Sequence, residues 1–359
     1  MNNRFCLFIF TILSFFLSSL LAYGQTSPDR LLLRNYRPQN IFKIPYIVGK
    51  KAEYPVIDMN ARPSATSQSQ LARWVKDMDS AGVGKTVIMT DAYGRQFDSL
   101  AAFYSRYPKR FVLFCGIDLT GYDKPGFELA SVKELKRCYD VGARGVGELI
   151  DLSRGFVHQT PPAYWVHIDD PKLAPLLNEC AKLGMPVSIS IGQPQWCYER
   201  MDSTNDGLMS AYEHWFDMGW DLDLNQEVQH LARALAEHPK TIFIACHLGN
   251  QVTDLAKLGK LFDKYPNLYA DISRSYAELA TIPRYAKTFL ENYRYRILYG
   301  TDMGTGIPMY QETFTVLQTC DEHFYAFGLS DYHWPLYGLG LSGTTLKSIY
   351  RGNAKRILK

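Results

Sequence analysis

Histidine is scarce and unevenly placed. The 359-residue chain has 8, and none precedes His158. Any site built on a histidine pair in the first third of the chain is therefore excluded. An excess of one charge is missing too: Lys plus Arg number 39 against 36 Asp plus Glu, a net charge of +3. No Lys/Arg cluster stands out, which argues against a nucleic-acid partner. There is no Cys-x-x-Cys pair and no Cys/His spacing of a zinc ribbon. After the N-terminus no second long apolar run follows, so stable insertion in a membrane is not expected. Internal repeats and low-complexity tracts are absent.

What is present begins with a leader. Asn2-Asn3-Arg4 gives a positive start, Phe5 to Ala22 is apolar apart from Ser and Thr, and Ala22-Tyr23-Gly24 supplies small residues before Gln25. Residues 1–24 read as a secretory signal, which implies export to a periplasmic or extracellular location. Residues 25–52 show no clear period and read as an arm across the barrel floor or against a partner subunit of a homo-oligomer. Six cysteines follow the leader, and Cys115 and Cys246 sit inside apolar runs like small buried hydrophobes. At most one disulfide is expected.

From Pro55 onward a rhythm sets in. Apolar or β-branched runs occur at 56–60, 85–91, 111–118, 143–149, 186–192, 241–249, 268–273 and 296–303. Helix-like stretches lie between them, Gln68–Ala81 the first, several with start signals such as Asp170-Pro171, a cap before a proline of the first turn. Strand then helix, eight times over, predicts a (β/α)8 TIM barrel over residues 53–359. The residues from Gly343 onward predict a closing helix. Two connections are long. Gln193–Asn225, with Trp196, Tyr198, Tyr212, Trp215, Phe216 and Trp220, leaves the end of the fifth strand and reads as a lid; His323–Leu341 is the other.

Polar residues gather where these strands end: Asp58 and Asn60, Asp91, Asp118, Glu148, Ser190, His247, Asp271 and Ser273, Asp302. The C-terminal ends of barrel strands are where such folds carry chemistry. Asp91, Asp118 and Asp271 read as caps or satisfied structural polars. His247 and Asp302 close fully apolar strands and read as catalytic groups. Glu148 follows Gly145-Val-Gly147, so its carboxylate is free to enter the mouth as a base or to pair with Arg62 or Arg144. His167 and His333 read as loop anchors.

His-Leu-Gly249, Asn267-Leu-Tyr-Ala-Asp-Ile-Ser273, Leu298-Tyr-Gly-Thr-Asp302 and Arg351-Gly-Asn-Ala-Lys-Arg-Ile357 resemble the amidohydrolase-related barrels grouped with aminocarboxymuconate-semialdehyde decarboxylase. The resemblance runs from about Pro55 to the C-terminus. It implies one divalent metal held by an acid-x-His-x-His on strand one, a histidine on strand five and an aspartate on strand eight. This chain departs from that set. Asn60 and Arg62 stand for the first pair and Ser190 for the fifth-strand histidine; only His247 and Asp302 match.

Asp58, Glu148, His247 and Asp302 remain as ligands if a metal (Zn, Mn or Mg) is bound; otherwise Arg62 supplies the positive charge. The expected function is an exported hydrolase or decarboxylase-type lyase acting on a small, carboxylate-bearing substrate. Arg62, Asn60, Ser190 and Trp196 would bind that substrate, and His247, Asp302 and Glu148 would be catalytic. The alternative is a barrel that lost its metal and only binds a small molecule. As a mouth residue, Arg62 is expected to matter for the ligand and hardly for stability.

Overall fold

The computed structural model describes residues 28–215, 221–326 and 334–358. The expected leader and its expected cleavage point lie outside these residues. Residues up to Ile41 form one unit and Phe42–Lys359 the other; in the first, the described part holds two short 3-10 turns, Pro28–Arg30 and Leu33–Asn35. Part of the expected arm belongs to the second unit. There Ile47 N donates to Asp321 Oδ2 and Gly49 N to Thr315 Oγ1, both at 2.8 Å.

Eight parallel strands follow in sequence order around one sheet: β1 Val56–Ala61, β2 Val83–Met89, β3 Phe111–Cys115, β4 Ala143–Asp151, β5 Val187–Ile191, β6 Phe243–Ala245, β7 Leu268–Asp271 and β8 Ile297–Leu298. Backbone bonds join the last to the first: Met59 N donates to Tyr299 O at 2.8 Å, and Asp302 N to Asn60 O at 2.8 Å. The predicted TIM barrel is thereby observed, with helices on its outside between successive strands.

The helices start and stop for local reasons. Gln68–Ala81 spans the predicted residues; Ser67 caps its N-terminus by accepting from Gln70 N, and Gly82 ends it at φ 83°. Leu224–Glu237 opens with a capping box between Asp223 and Gln226. Residues 343–357 form the closing helix, with a π turn at Ser348–Gly352.

Alternation along the strands divides the core into two layers. Val56, Val83, Leu113, Val187, Phe243, Leu268 and Ile297 pack outward under the helices. Ile57, Met59, Val87, Met89, Phe114, Ile244 and Leu298 pack on one another inside, and Ala354 and Ile357 of the closing helix join them. Glycine is required on β4. A Cβ at Gly145 would sit 2.4 Å from the Phe114 ring, and Gly147, at φ 135°, would place one 2.5 Å from Ser188 O. With no side chain at either position, the strand bends past its neighbours and delivers Glu148 to the mouth.

The sixth strand is shorter than predicted. It stops at Ala245, and His247, Leu248, Gly249 and Asn250 all take left-handed dihedrals with φ between 54° and 61°. The turn lets His247 donate its backbone N–H to Asp271 Oδ1 at 3.2 Å while its ring enters the mouth. No helix among the described residues is long and apolar enough to cross a membrane, and Cys115, Cys138, Cys180, Cys197, Cys246 and Cys320 are free thiols.

Candidate functional site

The mouth is organised around one guanidinium. Arg62, just past β1, donates from Nε to Asp302 Oδ1 and from Nη1 to Asp91 Oδ2, and its Nη2 pairs with Glu148 Oε2, each at 3.0 Å. Three carboxylates from three different strand ends thus meet one cation. Burial works against the Arg62 charge, but Glu148, Asp302 and Asp91 outweigh it and raise its affinity for the proton. The sequence alone suggests a structural cap at Asp91; here it is a member of the cluster. Its own carboxyl is drawn upward by burial, with Arg62 opposing.

Below the guanidinium lies Asn60. Its Nδ2 donates to Glu148 Oε2 at 3.2 Å and to Asp271 Oδ2 and Ser273 Oγ at 3.3 Å. A side chain facing three acceptors presents its donor end to the site. Asp58, two residues earlier, does not join it. Its carboxylate accepts from Thr301 N at 3.0 Å, Thr301 Oγ1 at 2.7 Å and Asn60 N at 3.2 Å. Asp58 therefore ties β1 to the segment after β8; burial raises its carboxyl to about 7 against the pull of the Thr301 bonds. The β1–β2 register breaks between Asp58 and Ala61, so simple alternation does not carry both residues to the same place.

His247 stands across from Arg62. Its Nδ1 lies 3.0 Å from Ser273 O and 2.9 Å from Ser273 Oγ. The carbonyl fixes Nδ1 as a donor, leaving Nε2 to face the mouth, 3.6 Å from Glu148 Oε1 and 3.9 Å from Asp302 Oδ2. Burial alone would strip the ring of its second proton. The Glu148 carboxylate, then Asp271 and Asp302, push it up to about 9. Glu148 is itself almost completely buried, which opposes its charge, yet His247 and Arg62 hold it well below the usual carboxylate range.

One member was not singled out in the sequence. Arg274, directly after Ser273, donates from Nε to Asp302 O at 3.0 Å and pairs with Asp302 Oδ2 at 2.9 Å. Its side chain is 58% exposed, and its two terminal nitrogens make no hydrogen bond among the described residues. Asp91, His247, Arg274 and Asp302 all have positive φ, between 48° and 57°. Backbone held in that region by so many neighbours in one place is a mark of function. The signal in the sequence was Arg274's position, immediately after a strand-end serine.

The remaining expected residues are placed less centrally. Ser190, on β5, is buried, and its hydroxyl makes no hydrogen bond among the described residues. Trp196 begins the expected lid, in a 3-10 turn at Gln195–Tyr198. Its ring centroid is 6.1 Å from that of Trp334, so the two long loops meet there. Asp118 caps its own turn by accepting from Thr120 N. His167 anchors its loop on Asp151 at 2.8 Å and stacks on His230 at 3.8 Å, while His333 lies outside the described residues.

Beside that anchor lies Glu227, which accepts from Ser153 N at 2.7 Å. Burial first, and the Asp151 charge with it, push Glu227 up to about 8, against an ordinary value of 4.5. A carboxyl that holds its proton more tightly when folded gives stability that is complete below pH 4.5 and lost as pH rises through 8. Glu227→Gln should remove this slope, at most roughly 1.4 kcal/mol per pH unit. Urea midpoints of the two proteins at pH 5 and pH 9 check it; an equal pH dependence would show that Glu227 does not titrate in this range.

Glu148, His247 and Asp302 bring ligand atoms within 4.8 Å of one another, the spacing of groups around one metal ion. Their surroundings do not fit such an ion. Both carboxylates are already paired with a guanidinium, and Asp302 with two. Asn60 turns N–H groups rather than oxygen toward the centre. A divalent ion on these carboxylates would lie within about 5 Å of the permanent Arg62 charge, a repulsion of about 7 kcal/mol at an effective dielectric of about 20. The two negative charges are matched by Arg62 and Arg274 before any ion arrives.

The barrel has solved counterparts. A putative amidohydrolase from Staphylococcus aureus superposes with a TM-score of 0.55 at 16% identity, covering 85% of this chain and 99% of that one. 2,6-Dihydroxybenzoate decarboxylase, complexed with 2,6-dihydroxybenzoate, gives 0.53 at 18% identity over 85% and 98% of the two chains. Dihydroxybenzoic acid decarboxylase from Polaromonas sp. JS666, with bound manganese and the inhibitor 2-nitroresorcinol, gives 0.53 at 16% over 85% and 97%. At these identities the likeness is one of fold. None of the curated proteins compared matches the chain. The Amidohydrolase family profile matches residues 49–359, and with the barrel and its strand-end residues in place the chain belongs to the amidohydrolase family.

Proposed function

We propose that the mouth converts a small carboxylate-bearing molecule, by carbon–carbon cleavage of the decarboxylase type or by hydrolysis. The observation that carries this reading is His247, whose Nδ1 is fixed by Ser273 O and whose Nε2 faces the Glu148 and Asp302 carboxylates. An imidazolium held in that position is a general acid near neutral pH. In the decarboxylase form, carbon dioxide leaves with its bonding pair on the substrate carbon, and Nε2 delivers the proton that carbon takes up. Glu148, held low, keeps the ring charged rather than acting as the base. Protonation-led chemistry suits these groups better than water activation.

Recognition of the substrate carboxylate falls to Arg274. Its Nε edge is fixed on Asp302, so its outer N–H groups form a positioned fork at the rim. Arg62 lends the field of its charge, with Asn60, Ser190 and Trp196 as further lining. The leader-like start of the chain supports export of this activity.

Incubation of the purified protein with benzoates, hydroxybenzoates, short dicarboxylates, esters, amides and lactones tests the reading through carbon dioxide release and product formation. Arg274→Ala should weaken binding of carboxylates about tenfold or more, the scale of one charge-assisted bond at roughly 1.5–3 kcal/mol, and leave neutral esters unaffected. A protein that neither binds nor converts any carboxylate sinks the proposal. A second reading, binding without turnover, is favoured by Asn60 and Arg62 at the first-strand ligand places; carboxylate binding with no product in any assay would select it.

A further inference from the structure

We infer that the guanidinium of Arg62 is a built-in cation that takes the place of the family's metal, so that this site assembles without a divalent ion and does not bind one. This goes beyond the functional reading and holds whether the mouth converts its ligand or only binds it.

Three independent features of the chain converge on it. The first is position. Arg62 occupies the second of the two first-strand places that the resemblance assigns to metal-binding histidines, and Asn60 occupies the first. The second is contact. A metal in such a barrel gathers carboxylates from distant strand ends, and Arg62 does so itself: Asp91 after β2, Glu148 on β4 and Asp302 after β8 each lie 3.0 Å from a different guanidinium nitrogen. A planar fork with five N–H groups can satisfy several acceptors in fixed directions, as a lysine ammonium cannot.

The third feature is the polarity of the neighbours. Asn60 offers its amide N–H groups to Glu148, Asp271 and Ser273, and Arg274 places a second guanidinium on Asp302. The inner face of the site is thus lined with donors that complement carboxylates. An ion of like sign would have to displace them. His247 and Asp302 keep the places their counterparts hold in metal-dependent relatives, yet the charge that gathers them is carried by the chain. Such a centre is not removed by chelators and needs no loading.

The test uses the full chain, produced without a histidine tag. Its metal content is measured by mass spectrometry, and its thermal midpoint is followed after dialysis against EDTA and after addition of Zn2+ or Mn2+. We expect far less than one ion per chain and a midpoint that neither chelator nor metal moves. In parallel, the double variant Asn60→His with Arg62→His restores the histidine pair. It should take up close to one Zn2+ per chain, with the midpoint raised by several degrees, as binding to the folded state alone requires. One tightly held ion per wild-type chain, or a midpoint lowered by EDTA, overturns the inference. A double variant that folds but binds no Zn2+ also overturns it, because the guanidinium would then not stand at the metal's place. Should the double variant not fold, the metal content of the wild-type chain and its response to EDTA decide the inference.

Discussion

Arg62→Ala should lower the free energy of unfolding by roughly 3–5 kcal/mol, the range seen when one partner of a buried ion pair is removed. The reason lies in what stays behind. Glu148 is 1% exposed and would keep a charge that only Asn60 and His247 still face; Asp302 would keep Arg274, and Asp91 would lose its cation. Arg62→Lys should fall between, because one ammonium reaches one or two of the carboxylates that the fork spans.

The acid side supplies the check. Glu148 has a folded value depressed below its ordinary 4.5, so its share of stability is present above that pH and disappears as the pH falls through the folded value. Removing Arg62 removes part of that share. Wild type and Arg62→Ala should therefore differ most at pH 7, with the gap narrowing below pH 4.5 and closing only as the pH falls through about 2. Urea midpoints across this range measure this. Equal midpoints at pH 7 would mean that the three pairs contribute nothing, as exposed pairs often do.

The expectation drawn from the sequence is different, for there Arg62 is a mouth residue of small consequence for folding. The difference has a physical source. Periodicity places a residue on a strand end, but it does not say how many partners converge there. The barrel was legible because each layer repeats: apolar strand, capped helix, glycine or proline at the joint. Gln68–Ala81 even has the predicted ends, since Ser67 and Gly82 are local stop signals.

Strand ends at the site were less legible. β6 was read through to Gly249, and it stops at Ala245 because His247 to Asn250 turn left-handed. That conformation is held by tertiary bonds to Asp271 and Ser273 and leaves no local trace apart from Gly249. Asp58 and Asn60 share parity in the sequence, yet a register break after Asp58 separates their roles. Asp91 resembled any cap, and Arg274 resembled any surface arginine. What promotes both is proximity to Arg62 and Asp302, a property of closure rather than of sequence.

The second large effect concerns His247. His247→Gln should reduce turnover by about 10²–10⁴, the usual contribution of a positioned general acid, in protein that stays folded at the assay temperature. After its loss Glu148 keeps Arg62 and Asn60, so the fold is weakened but retained. The pH profile separates this role from a merely structural one. With its folded value pushed up to about 9, His247 holds its proton at neutral pH. The wild-type rate should stay level through pH 7 to 8 and fall as the pH rises through 9. The residual rate of His247→Gln should lack that fall, having no proton to lose there.

Binding of an unreactive carboxylate tells the same story from the other side. It relies on Arg274 and so should weaken only a few-fold in His247→Gln, as a long-range charge effect at the mouth. A variant that turns over at the wild-type rate would remove His247 from the chemistry. One that loses binding and turnover in the same proportion would make it a recognition residue, leaving the acid to be sought elsewhere around Arg62.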